Sequence, residues 1–311
     1  MILCVSPNPA LDRVLAVPGF QVGRVFRALD SFEIAAGKGV NVARAVRILG
    51  GAAACVGPLG GLTGRRIAAL AETEGIPCAW TWIEGNSRTC IIIADPDSGE
   101  STVVNEAGPM VTPQEWTRLQ ADVLREASRA DSVCLSGSLP PGVRGEAFAG
   151  LLQALLADGR RVWVDTSGAG LAAAMDMGLH GIHVNLDEAC TALGCARPGT
   201  PTGALAVAHQ IRQRGIETVS LTLGKAGAVL ATAAGNWYAQ SPGISAVSAV
   251  GSGDSFLAGL ITSLDSGLPG PEALRRAAAA GAANALRSGA GVFTMQDFGA
   301  LLDKTVVRSV A

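Results

Sequence analysis

Ser132-Val-Cys-Leu-Ser-Gly-Ser-Leu-Pro-Pro-Gly142 passes from a short apolar run into a turn made rigid by glycine and proline. Ser132 to Leu135 reads as a buried strand, and the same pattern recurs at Ile2 to Val5, Ala53 to Val56, Val162 to Val164, Ile182 to Val184 and Val219 to Leu223. Between these runs lie longer helix-period segments. Asn41 to Leu49, for example, puts Val42, Val46 and Leu49 on one face and stops at Gly50-Gly51. Such alternation predicts an α/β fold of three layers, α/β/α, around a mainly parallel sheet. Open α/β sheets bind ligands outside the carboxyl ends of their strands, where Ser136 to Gly142 would emerge. Taken alone, that segment is more economically read as an ordinary loop.

Two segments break the alternation. From about Leu15 to Ile34, and from Arg88 to Asn105 with a turn at Asp95-Pro-Asp-Ser-Gly99, the pattern is that of strands with polar alternation. They are expected to pair into a small sheet outside the main one, and a small sheet over a cleft makes a lid. The lid strands are placed at about 12–35 and 87–106 of a single domain spanning 1–311, because no repeat, low-complexity tract or long linker divides the chain.

Composition narrows the partners. The chain has 311 residues, 49% of them hydrophobic, enough for a sizeable core. Its net charge of -2 and scattered basic residues exclude a phosphate-backbone partner, leaving a small molecule rather than nucleic acid. Seven cysteines without a Cys-x-x-Cys pair read as reduced, buried thiols of a cytoplasmic protein. Pro7, Pro9, Asp12 and Arg13 interrupt any signal-peptide-like stretch, and no window is long enough to span a membrane.

Four further segments have residue types suited to chemistry. Gly251-Ser252-Gly253-Asp254 opens a helix whose Phe256, Leu257, Leu260, Ile261 and Leu264 share a face. Free N–H groups and the helix dipole at such a start favour an anion, and Asp254 beside it can accept a hydroxyl proton during phosphoryl transfer. Ser252 and Asp254 read equally well as plain caps. Gly37-Lys38-Gly39-Val40-Asn41 is a second glycine-rich start, but it lacks the Ser or Thr of a Walker loop and the third glycine of a dinucleotide fingerprint. Asn185 and Glu188, three apart after a strand, suit a hydrated Mg²⁺ or a simple helix start. Thr222-Leu-Gly224-Lys-Ala-Gly227 suits a phosphate-wrapping loop or a tight hairpin. His180 and His183 have no third metal ligand within sequence reach, and the Gly-x-Ser-x-Gly elbow of hydrolases is absent.

In order and spacing, Asn8-Pro-Ala-Leu-Asp12, Ala35-Ala-Gly-Lys-Gly-Val-Asn-Val-Ala43, Ser136-Gly-Ser-Leu-Pro140 and Gly251-Ser-Gly-Asp-Ser-Phe256 together resemble the ribokinase-like (PfkB) carbohydrate kinase family, specifically its phosphosugar branch. The resemblance covers essentially the whole chain and implies a ribokinase-like fold, with ATP and Mg²⁺ as cofactors. It implies that Asp254 is the proton acceptor, that Gly251, Ser252 and Gly253 form the anion hole, and that Asp12, Gly37, Lys38, Gly39, Asn41 and Ser138 contact the sugar. Thr222, Gly224 and Gly227 would line the nucleotide site with Asn185, and Asn284 would sit near the adenine. Asn185 and Glu188 match the family's Asn-x-x-Glu pattern for Mg²⁺ held through water. Arg27 and Arg88, one on each predicted lid strand, are candidates for the substrate's own phosphate, which arginine's fork suits.

The resemblance implies phosphoryl transfer to a ketohexose phosphate, with fructose 1-phosphate as the expected acceptor. Tagatose 6-phosphate, fructose 6-phosphate and an unphosphorylated sugar or nucleoside are the alternatives, and a sugar- or ATP-binding sensor is the non-enzymatic one. Two departures bear on this choice. His183-Val184-Asn185 stands where phosphosugar members commonly have Lys-Pro-Asn, so a cation at the transferring phosphate is missing or depends on a protonated histidine. Ser87-Arg88-Thr89-Cys90 replaces Thr-Arg-x-Asn, losing an amide. The exposed face of a lid sheet also points to a homodimer.

Overall fold

The computed structural model describes residues 1–310. Its larger sheet has ten strands, ordered Val306–Ser309, Gly235–Gln240, Ala228–Thr232, Thr218–Thr222, Gly181–Asn185, Arg161–Asp165, Ser132–Ser136, Ile2–Val5, Ala53–Gly60 and Cys78–Ile83. The seven from Thr218–Thr222 to Cys78–Ile83 are parallel, and the other three add antiparallel at one edge. Every strand expected from its apolar run is present: Ile2–Val5 has the expected bounds, four others run further, and the one expected over Val219 to Leu223 starts at Thr218 and ends at Thr222.

Burial on both faces explains why those runs are apolar without a gap. In Ile2–Val5, Leu3 and Val5 pack into one core and Ile2 and Cys4 into the other. Helices Pro113–Ala127, Gly145–Ala157, Gly168–Ala174, Leu186–Leu193 and Pro201–Arg212 close the first core. Helices Lys38–Ile48, Gly61–Thr73, Ser252–Asp265, Gly270–Ala285 and Met295–Leu302 close the second. The result is the three-layer α/β/α architecture. All seven cysteines are unpaired thiols, but Cys78 and Cys195 are only half-buried. No described helix is long and apolar enough to cross a membrane.

The smaller sheet has the order Asp30–Ala36, Ala10–Ala16, Arg88–Asp95, Glu100–Asn105. It grows directly out of the main sheet, because Ala10 follows closely on the strand Ile2–Val5 and Ala36 leads at once into Gly37 and the helix Lys38–Ile48. The turn at Asp95 to Gly99 is where the sequence places it. The first segment differs: residues 17–29 form no strand, because Pro18, Gly19 and Gly23 divert the chain into an exposed loop. Arg27 lies on this loop and not on a lid strand, as the sequence reading had it.

Candidate active site

Four neighbouring strands of the parallel sheet end around a cavity of about 460 Å³, and the smaller sheet walls its opposite side with Asp12, Arg88, Cys90 and Asn105. Two helix starts complete it. Gly251 caps Ser252–Asp265 in the left-handed region (φ 81°), and a Cβ there would stand 2.4 Å from Ala290 Cα, so only glycine fits. No side chain caps this helix, which leaves its start open to an anion. The Ser252 amide is already bonded to Ala249 O at 3.2 Å, which narrows the expected anion hole towards Gly253. Gly37 (φ 100°) opens Lys38–Ile48 in the same uncapped way.

Asp254, in the first turn of its helix, is buried and lies on the cavity wall. Its Oδ2 accepts a hydrogen bond from Asn41 Nδ2 at 2.8 Å. Burial pushes its pKa up to about 7, against the opposing pull of Lys38 and the Asn41 hydrogen bond. Lys38 Nζ donates to the buried Asp165 Oδ1 at 2.7 Å. Burial works against the Lys38 charge, but Asp165, Asp254 and Glu188 outweigh it and hold the ammonium above its ordinary range. Burial also raises Asp12, to about 6. A poised carboxylate, a fixed cation and an open helix start therefore converge within one cavity.

A second cavity of about 660 Å³ lies beyond, walled by Gly224, Gly227, Ser252, Phe256, Ala278 and Ala282. Asn185, Thr222 and Gly253 line both, so the two compartments meet at the helix start. Thr222 to Gly227 is a hairpin turn joining antiparallel strands, and it also walls this cavity. Gly227 (φ 108°) must be glycine, because a Cβ would meet Ala239 O at 2.0 Å.

Of the residues singled out from sequence, Asp12, Gly37, Lys38, Asn41, Arg88, Ser138, Asn185, Glu188, Thr222, Gly251, Gly253 and Asp254 all line the first cavity. Gly224, Gly227 and Ser252 line the second. Three lie elsewhere. Gly39 lets the helix pack on the strand end, a Cβ there falling 2.7 Å from Val5 O. Arg27 is on the exposed loop and lines neither cavity. Asn284 is fully buried: its Nδ2 donates to Val250 O at 2.7 Å, and its Oδ1 accepts from Ser255 Oγ and Val292 N. It braces the Gly251 turn from behind and lines neither cavity.

His183 lines the first cavity, stacked on Phe256, and burial lowers its pKa to about 4. It is neutral near pH 7 and supplies no cation. Arg88 is anchored by its Nε and Nη2 to Asn8 O at 3.1 and 2.9 Å. Asn185 and Glu188 form a capping box: Asn185 Oδ1 accepts from Glu188 N, and Glu188 Oε2 accepts from Asn185 N. Among the described residues, no group of three or more His, Cys, Asp or Glu side chains is placed to hold a metal directly. Glu188 lines the first cavity and spends one of its two carboxylate oxygens on the capping box, which fits a hydrated Mg²⁺, an ion that keeps several waters and needs few carboxylates.

Two residues were missed. Asp165 leaves a buried strand at the same edge as Asn185, a signal the sequence did carry. Asn105 pairs directly with Cys90 across the smaller sheet and lines the cavity, returning an amide one strand away from the one Cys90 lost. No local pattern could reveal that pairing.

This geometry suits phosphoryl transfer, and comparison with known proteins identifies the chain as a kinase. The profile of the pfkB family of carbohydrate kinases matches residues 11–296, and the chain belongs to that family. It is an ATP-dependent carbohydrate kinase of ribokinase-like fold. It is 32% identical over 301 residues to the 1-phosphofructokinase of Escherichia coli K12, covering 97% of this chain and 96% of that one. With the 1-phosphofructokinase of Rhodobacter capsulatus it shares 34% identity over 282 residues, 89% of this chain and 88% of the relative. Its structure matches phosphofructokinase-2 from E. coli in complex with fructose-6-phosphate, with a TM-score of 0.88 and 27% identity over 97% and 98% of the two chains.

Proposed function

We propose that this kinase transfers the γ-phosphoryl group of ATP to a hydroxyl of fructose 1-phosphate, giving fructose 1,6-bisphosphate. The observation that carries the reading is the buried Asp254, placed where a polar cavity under the smaller sheet meets a second, more apolar one at Gly253. ATP lies in the second cavity with its phosphates directed at the Ser252–Asp265 helix start, and the sugar lies in the first under the smaller sheet, which acts as a lid to one kinase unit. Asp254 takes the hydroxyl proton as the oxygen attacks the γ-phosphorus, and the bond to the β-phosphate oxygen breaks. Lys38 and the amide at Gly253 offset the charge spread over the moving group. Mg²⁺, held through water by Glu188, would neutralise nucleotide phosphate charge. Arg88 meets the sugar's own phosphate, with Asp12 and Asn41 beside it; Arg27 reaches that phosphate only if its loop folds inward.

The likeness to phosphofructokinase-2 in complex with fructose-6-phosphate favours fructose 6-phosphate as the second reading. An ATP-consumption screen over fructose 1-phosphate, fructose 6-phosphate, tagatose 6-phosphate, fructose, ribose and adenosine decides between them. The expected result is the highest kcat/KM on fructose 1-phosphate. A preference for fructose 6-phosphate replaces the acceptor, and silence on all six points to a sensor. Val22, Val25, Leu29 and Val104, all strongly exposed on or beside the lid, suit a homodimer, and seven unpaired thiols suit the cytoplasm.

A further inference from the structure

Arg44 is a buried arginine outside both cavities, and its guanidinium reaches four parts of the fold. Nε and Nη2 grip the Glu74 carboxylate, the Nη2 contact at 3.0 Å. Nη1 donates to Ala290 O at 2.7 Å and to Asn41 Oδ1 at 3.2 Å, and Nη2 donates to Ala35 O. Ala35 belongs to the small-sheet strand that runs into Gly37, and Ala290 is the residue against which Gly251 packs.

We propose that Arg44 is a positioning residue that sets the orientation of the Asn41 amide and, through it, the aim of Asp254. The reason lies in donor and acceptor chemistry. A guanidinium has only donors, so it accepts no amide N–H and requires Asn41 to present Oδ1. With Oδ1 held there, Nδ2 must face the other way, where it donates to Asp254 Oδ2. A flipped Asn41 would set N–H against N–H at Arg44 and carbonyl oxygen against carboxylate at Asp254, leaving both pairs unmade in a buried site. The same guanidinium ties this point to the Ala290 loop behind the anion site and to the edge strand Asp30–Ala36 of the smaller sheet. Lysine, a single point of charge, cannot hold these directions together.

The inference rests on Asp254 as the proton acceptor, and the test separates the two. Arg44→Lys, Asn41→Ala and the double variant are compared for kcat, for KM of ATP and for thermal stability. Arg44→Lys is expected to lower kcat about tenfold, with the KM of ATP changed less than about twofold, because misdirected catalytic groups cost turnover. In the Asn41→Ala background the same substitution is expected to lower kcat less than about twofold, the non-additivity of residues acting as one unit. An equal loss in both backgrounds, or full kcat in Arg44→Lys, overturns the proposal. If Arg44→Lys does not fold, Glu74→Gln, which loosens the far side of the guanidinium, enters the same cycle and is judged by the same criterion. If instead Asp254→Asn keeps its turnover, the assignment of the base fails, not the Arg44 coupling.

Discussion

Two helix starts face the same cavity and are built in opposite ways. Ser252–Asp265 begins at a left-handed glycine with no side-chain cap, whereas Leu186–Leu193 begins at Asn185 with both members of a capping box in place. The first leaves a helix start for something outside the protein to satisfy. The second satisfies itself, so Asn185 and Glu188 spend one oxygen each on their own helix and can serve a cation only at second hand. An uncapped start in a walled cavity suits an anion, whereas a capped one has already satisfied its own amides.

That contrast can be broken at several points. Asp254→Asn should have the largest effect: kcat falling by about 10²–10⁴, as removal of a general base does, with ATP binding nearly intact in a direct titration. Near-normal turnover would remove Asp254 as the base and leave it only the partner of Asn41. Because its pKa stands near 7 against an ordinary 3.8, wild-type turnover should rise with pH through about 7. Between those values the folded protein holds a proton that the unfolded chain has released, so stability should fall as pH rises across the window. In Asp254→Asn, thermal melts at pH 5 and pH 8 should show that slope reduced.

The two glycines of the open start should separate next. Gly251→Ala meets Ala290 in a left-handed backbone and should cost stability of about 1–3 kcal/mol as well as activity. A Cβ on Gly253 comes near only His183 Nε2, at 3.7 Å, so Gly253→Ala should melt as wild type yet lose turnover by blocking the phosphate. Equal melting losses would mean that both glycines serve packing alone. The smallest effects belong to the capped start. Glu188→Gln can still accept from Asn185 N, so it should keep its melting temperature and raise the Mg²⁺ concentration needed for half-maximal rate. Asn185→Ala should lose about 1 kcal/mol of stability with its cap. A Glu188→Gln enzyme with unchanged Mg²⁺ dependence would confine Glu188 to capping.

Much of the site was legible because glycine, proline and apolar runs act locally. Gly37 and Gly251 announced helix starts, Ser132 to Leu135 announced a strand, and the strand edge announced where ligands go. What escaped was set by contacts distant in sequence. Asp165 meets Lys38 across 127 positions, and Cys90 meets Asn105 only because their strands pair in that register. Asn284 matches a family position but turns inward, since Val250 O, Ser255 and Val292 use its amide. Arg27 left its expected strand because Pro18, Gly19 and Gly23 bend the chain away.

Sequence by itself determined the layers, the carboxyl edge and the open helix start, all consequences of short-range backbone preference and hydrophobic period. Tertiary structure alone decided which polar groups face the cavity and which spend themselves on neighbours. A side chain's hydrogen-bond capacity is finite, and who claims it depends on what the fold brings alongside.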